Sequence, residues 1–253
     1  MGGIRLKTPA ELAKMRQAGR ITAEVLRLVA EMAEPGVTTE QLDRAAEQHI
    51  RDSGAAPAFK GYRGFPATIC ASIDSEVVHG IPGPRELREG ELLKVDVGVV
   101  SDGLYADAAV TVPMGRVTQA ARGLMRATQG ALEAAVAIVR AGVRVHDISA
   151  AIQAAAEREG FSVVRDYTGH GIGRALHEEP TVPNFVVPGL VRNSPVLEAG
   201  AVVAIEPMLN AGTFRTEVLS NGWTVVTKDR ELSAHFEHTV AVEESGPVVL
   251  TLP

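Results

Sequence analysis

Apolar residues recur at helical spacing over the first fifty positions and turn to strand-like runs further on. Leu12, Met15, Ile21, Val25, Leu28 and Val29 fall on one face of a helix beginning near Pro9. Thr8-Pro9-Ala10-Glu11 has the form of a helix start, with Thr as N-cap, Pro at the first position and Glu at the third. Pro35-Gly36 breaks the run, and Thr38-Thr39-Glu40 opens a second helix ending near Gly54. From 59 to 112 the pattern is that of strands, most clearly at 67–71 and 92–100. Residues 118–160 are again helical and Ala-rich, with a break at Ala141-Gly142. Strands return from about 162 to 250.

The order helix, helix, strands thus occurs twice, which predicts an internal duplication. Glu34-Pro35-Gly36-Val37 answers Arg140-Ala141-Gly142-Val143, and Gly54 answers Gly160, both at an offset of 106. Residues 87–96 lie over 197–206 at an offset of 110. Chance likeness between two Ala-rich helix pairs would explain the first match. The second weighs against chance, because it aligns Asp96 with Glu206 at the inner end of an apolar strand. The expected fold is α/β (α+β), with two related halves, about 9–112 and 118–250, packing their strands into one curved sheet under helices. No linker separates the halves, so 1–253 reads as a single domain.

Composition narrows the class. The formal net charge of -6 argues against a nucleic-acid binder, which needs a basic surface. One cysteine, Cys70, excludes an internal disulfide framework and any multi-cysteine metal site. No run approaches the length of a membrane span, and the N-terminus lacks the apolar core of a signal peptide. A soluble, cytoplasmic protein is expected.

The candidate chemistry is acidic. Asp96 interrupts a strand of Val, Leu and Gly, and a carboxylate there is costly unless paired, hydrogen-bonded or bound to metal. With Ser101 and Asp102 as a hairpin loop, Asp96 stands directly opposite Asp107 on the same face. Two like charges so close call for a cation between them; solvated acids on a surface hairpin are the plainer alternative. Glu206 ends the strand 201–205, and Glu237 lies within a strand-like stretch at 232–240. Four carboxylates in matched positions suit two hard divalent ions better than one.

His170 lies between Gly169 and Gly171, which lets backbone and ligands approach closely. It would complete a mixed oxygen and nitrogen ligand set, although a lone histidine is commonly a hydrogen-bonded core residue. His79 and His177 are further candidates, whereas His49 and His146 fall on predicted helices and read as solvent-facing. No Gly-Lys pair exists for a Walker A loop and no Gly-x-Ser-x-Gly for a hydrolase elbow. Cys70 carries no nucleophile signature and reads as a small buried hydrophobe.

Taken in order, VVHGIP at 77–82, KVDVG at 94–98, YADAAVT at 105–111, GHGIG at 169–173, HEEP at 177–180, AIEPM at 204–208 and NGWTVVTKDRELSAHFEHT at 221–239 are highly specific. The chain resembles the type I methionine aminopeptidases, which have the pita-bread fold, from about Thr8 to its C-terminus. The resemblance implies a pseudo-twofold curved antiparallel sheet covered by helices. It implies two divalent ions, with Mn, Fe(II), Co(II) and Mg as candidates. Asp96 would hold one ion, Asp107 and Glu237 would bridge both, and His170 and Glu206 would complete the other. A water activated there would attack the first peptide bond, with Glu206 carrying the proton. His79 and His177 would position the substrate and stabilise the tetrahedral intermediate.

The resemblance further implies a methionine pocket built from Tyr62, Phe65, Cys70, Leu176 and Trp223, with Phe59 nearby. An aromatic and sulfur-lined pocket suits an unbranched thioether. Phe65 and Leu176 depart from the family pattern, which has an aromatic residue at 176 and often Tyr at 65. Asp74 stands where the family has Asn, in a segment that helps many relatives bind a monovalent cation. Substrates would be nascent polypeptide N-termini with a small second residue, this chain's own Met1-Gly2 among them. The enzyme would be a monomer.

Two other readings keep the fold. One is a proline-directed peptidase, whose members usually carry an additional N-terminal domain. The other is a metal-free binding protein, in which ligands tend to be lost. Arg5, Lys7, Lys14, Arg16 and Arg20 face Glu11 alone in the first twenty residues. That basic face is either an ordinary solvated helix surface or a docking site for the ribosomal exit.

Overall fold

The computed structural model describes residues 3–189, 191 and 193–252. Its four helices are α1 (Pro9–Met32), α2 (Thr39–Asp52), α3 (Gln119–Ala137) and α4 (Val145–Arg158). α1 begins with the predicted capping box: Glu11 N–H donates to the Thr8 hydroxyl, and the Glu11 carboxylate accepts from Thr8 N–H. The residue pairing satisfies two orphan donors of the first turn at once.

Period-two alternation decides which face each strand offers to the helices. In the strand Leu92–Ser101, the side chains of Leu93, Val95, Val97 and Val99 pack under Ile21, Val25 and Val29 of α1 and Leu42, Ala46 and Ile50 of α2. In the strand Val202–Ile205, Val203 and Ile205 pack under Leu124 and Ala131 of α3 and Ile148 and Ile152 of α4. Each fully buried aliphatic side chain contributes about 1.5–3 kcal/mol. The intervening even-numbered positions, Asp96 and Glu206 among them, point to the opposite face.

The duplication is visible in the backbone. Gly36 N–H donates to Leu87 O and Leu87 N–H to Val37 O, at 2.9 and 2.8 Å. Gly142 N–H donates to Leu197 O and Leu197 N–H to Val143 O, both at 2.8 Å. Gly36 and Gly142 have φ of 95° and 89°, and Gly90 and Gly200 have 91° and 92°. These left-handed conformations favour glycine, so the repeated glycines mark repeated turns.

All strand pairings among the described residues are antiparallel. A four-stranded ladder in the first half contains Leu92–Ser101, and a five-stranded ladder in the second contains Val202–Ile205. They meet where the strand Leu104–Pro113 runs beside Glu237 and Thr239: Glu237 N–H donates to Ala109 O, and the Thr239 hydroxyl to Asp107 O. Asp107 and Glu237 therefore sit on the seam between the halves.

Two expectations are corrected. The hairpin turns at Asp102 and Gly103, both left-handed with φ of 50° and 75°, and Ser101 pairs with Leu104. Asp96 therefore stands opposite Ala109, and Asp107 opposite Gly98. The stretch 232–240 is two strands, Ser233–His235 and His238–Glu243, with Glu237 between them. The break arises because the first strand pairs with Met208–Asn210 and the second with Val202–Ile205, so the chain changes partner at the site.

Candidate active site

The five anticipated ligands line one cavity of about 160 Å³, together with Phe59, Tyr62, Phe65, Cys70, His79, Leu176, His177 and Trp223. At about 30 Å³ per water, that space takes roughly five waters, the scale of one side chain rather than a folded loop. Asp96 and Asp107 come from the hairpin, Glu206 follows the strand Val202–Ile205, and Glu237 sits on the seam. His170 comes from the strand Gly169–Gly171.

Asp107, His170 and Glu237 each place a ligand atom within 4.8 Å of the others. His170 Nε2 lies 3.5 Å from Glu206 Oε1. Its Nδ1 lies 2.9 Å from the Gly171 carbonyl. That carbonyl can only accept, so Nδ1 carries the proton and Nε2 presents its lone pair to the cavity. Both flanking glycines are required by space: a Cβ on Gly169 would lie 2.4 Å from Ala204 O, and on Gly171 2.1 Å from Glu179 O.

Electrostatics favour a cation. Burial, followed by the neighbouring carboxylates, pushes Asp96 and Glu237 well above the ordinary carboxylate range. Burial and then Asp107 do the same for Glu206, and burial raises Asp107. Burial pushes His170 down to about 4, so its ring is neutral near pH 7. Asp96 Oδ1, Asp107 Oδ1 and Glu237 Oε1 are buried without a hydrogen-bond partner. Orphaned carboxylate oxygens converging with an imidazole lone pair fit hard divalent ions.

The pocket beside this cluster is apolar and soft. Phe65 packs edge-on to Trp223 with centroids 5.2 Å apart. Cys70 pairs with Asp96 across the ladder, is 4% exposed, and burial raises its thiol pKa. His79 adopts φ of 58° and stands edge-on to Tyr167 and Trp223. His177 stacks on Tyr62, and its Nδ1 lies 2.9 Å from the Tyr62 hydroxyl.

Residues 13–244 match the model of metallopeptidase family M24. The chain belongs to this family. It is 48% identical over 249 residues to a methionine aminopeptidase of Clostridium perfringens, covering 98% of this chain and 99% of that protein. It is 44% identical to methionine aminopeptidase 1 of Bacillus subtilis, at 98% and 99% coverage. The structure of the Thermotoga maritima methionine aminopeptidase matches with a TM-score of 0.96 at 42% identity, covering 99% of this chain and 100% of that one. The Pyrococcus furiosus prolidase shares the fold, with a TM-score of 0.80 at 20% identity over 65% of that chain. This family M24 chain is therefore a metal-dependent hydrolase of the methionine aminopeptidase type.

Three residues at or behind the site went unread in the sequence. Arg63, at φ of 49° between Tyr62 and Gly64, lines the mouth of the cavity. His235 is 1% exposed, has neither ring nitrogen hydrogen-bonded, and lies 3.9 Å from Glu237. Its place two residues before Glu237 was the available signal. Lys94 is 1% exposed and its Nζ donates to Asp74 O at 2.7 Å. Lys94 thus occupies the carbonyl of the residue at which this chain departs from the family's Asn. His49 and His146 are half-buried rather than free on the surface, and His49 Nε2 lies 3.2 Å from Glu24. Among the described residues, no helix is long and apolar enough to cross a membrane.

Proposed function

We propose that this chain removes the initiator methionine from nascent polypeptides whose second residue is small, using two divalent ions. One observation carries the reading: an acidic, histidine-bearing cluster with orphaned oxygens opens directly onto a pocket lined by Phe65, Cys70 and Trp223. The candidate metal ligands and the aromatic, sulfur-lined pocket share one cavity. The relatives named above point the same way.

Asp96 would hold one ion, Asp107 and Glu237 would lie between both, and His170 and Glu206 would hold the other. Bound divalent ions supply a Lewis acid and bring the pKa of a water toward neutrality. Glu206, whose raised pKa comes from burial and Asp107, would accept a proton and pass it to the leaving amine. With the Tyr62 hydroxyl donating to His177 Nδ1, Nε2–H would be free to donate to the substrate carbonyl as negative charge develops. His79, neutral because burial lowers its pKa to about 4, flanks the same position. Phe65, Trp223, Phe59, Leu176 and Cys70 would exclude water from the methionine side chain. Asp96 from one half and Glu237 from the other make the two halves one catalytic unit. The same reading would place the enzyme in the cytoplasm as a monomer; of the basic residues expected to face the ribosomal exit, Lys14, Arg16 and Arg20 are exposed, whereas Lys7 is buried against Glu178 and drops out of that face.

Side-by-side digestion of Met-Gly-Ser and Xaa-Pro peptides tests the reading. Release of free methionine from Met-Gly-Ser supports it, and cleavage of the Xaa-Pro peptide alone refutes it.

A further inference from the structure

The turn that carries His177 is held from behind by the chain's own N-terminal segment. Lys7 Nζ donates to Glu178 Oε2 at 2.8 Å and to Arg5 O at 3.0 Å. Both partners are almost fully enclosed, with side-chain exposures of 2% and 5%. The other Glu178 oxygen, Oε1, accepts from Arg174 N–H at 2.7 Å and Ala175 N–H at 3.1 Å. One carboxylate thus closes the turn 174–178 and accepts the Lys7 ammonium, and its immediate chain neighbour is His177.

The segment is seated rather than merely adjacent. Lys7 N–H donates to Gly200 O at 2.7 Å. A Cβ on Gly173 would lie 2.1 Å from Lys7 Cε, so the turn is shaped to admit the lysine stem. Gly173 O in turn accepts from Tyr105 N–H, tying the turn to the hairpin that carries Asp107. Arg174 Nε donates to Glu11 Oε1 at 2.8 Å, and Glu11 also caps α1. On the cavity side, His177 meets Tyr62 and the His170 ring, with centroids 5.4 and 4.1 Å away.

We infer that the Lys7–Glu178 ion pair is a positioning device for His177, fixing the ring from behind as Tyr62 does from the front. The inference deepens the proposed function and rests on His177 acting on the substrate. A buried ion pair tolerates no half-measures: with Lys7 gone, an unpaired Glu178 carboxylate must draw in water or leave its place. Displacements of about 1 Å at a catalytic group suffice for large losses of rate.

The test is a double-mutant cycle on the metal-loaded full chain with Met-Gly-Ser, comparing Lys7→Met, His177→Ala and their combination. Lys7→Met should lower kcat about tenfold with KM within about twofold, and should add nothing once His177 is Ala. Lys7→Arg, which keeps the charge, should recover part of the rate. Lys7→Met/Glu178→Gln, which leaves no unpaired buried charge, guards against misfolding and should show the same kcat loss. An equal fractional loss from Lys7→Met in both backgrounds, or no loss in either, would overturn the inference. A His177→Ala enzyme with the parent rate would overturn it through the role of His177 itself, a result distinguishable from the others.

Discussion

Asp96 and Asp107 share one face of their hairpin but not one rung: Asp96 pairs with Ala109, and Asp107 with Gly98. The two carboxylates are diagonal neighbours, a separation of about 7–8 Å between backbones that long or bridged groups still span. Glu237, bonded through its backbone to Ala109, sits opposite Asp96's own partner. The geometry brings three acids around one point, with the Asp96 and Asp107 carboxyl groups close enough for a hydrogen bond between them when one is protonated.

Metal affinity should therefore depend on pH through the acids and not through the histidine. The carboxylates have raised pKa values, so protons must leave as an ion binds. His170, pushed down to about 4, is already a neutral ligand above that pH. Folded-state pKa values above the unfolded ones mean that the metal-free site favours the protonated form and loses stability as pH rises through them. The gain in Tm on adding a divalent ion should accordingly grow from pH 6 to pH 8.5. Comparing the two states at each pH cancels Lys94, whose pKa burial lowers to about 7. A gain independent of pH would contradict this.

Gly98 should be specific to the pocket. A Cβ there would lie 2.7 Å from Phe59 Cε1 and 3.0 Å from Ala58 Cβ. Gly98→Ala forces Phe59 toward the cavity it lines, at a cost of about 1–3 kcal/mol in stability. KM for methionyl peptides should rise severalfold while kcat changes less. Steady-state kinetics beside a thermal melt would detect it, and an unchanged KM would count against the pocket assignment.

Tyr62→Phe keeps the stack on His177 and deletes the 2.9 Å hydrogen bond. A typical hydrogen bond contributes about 0.5–1.5 kcal/mol, so kcat/KM should fall by roughly 2- to 13-fold. The loss should vanish in a His177→Ala background. A persistent loss there would mean that the hydroxyl acts on substrate directly.

The parts of this site that were legible in the sequence depend on parity and local pattern. The hairpin register differs by two residues from the expected one, yet Asp96 and Asp107 share a face, because a two-residue slip preserves alternation. The Asp102-Gly103 pair is itself a tight-turn signal that fixes the true register. Glycine spacing exposed the duplication because each repeated glycine holds a left-handed turn. Arg63, Lys94 and His235 escaped because their meaning comes from distant neighbours: Lys94 from the Asp74 carbonyl, His235 from its enclosure beside Glu237. The break at Glu237 was hidden for the same reason, since a change of pairing partner leaves no trace in local composition.

The central claim is that divalent ions held by Asp96, Asp107, His170, Glu206 and Glu237 make this chain a methionine-releasing enzyme. The most direct measurement is Met-Gly-Ser cleavage by metal-stripped protein, with Mn, Fe(II), Co(II) or Mg added back under anaerobic conditions and bound metal counted in parallel. Activity should be absent after stripping and return with metal bound, toward two ions per chain, while Glu237→Ala recovers neither. Full methionine release by the stripped protein, or unchanged metal content in Glu237→Ala, would contradict the account.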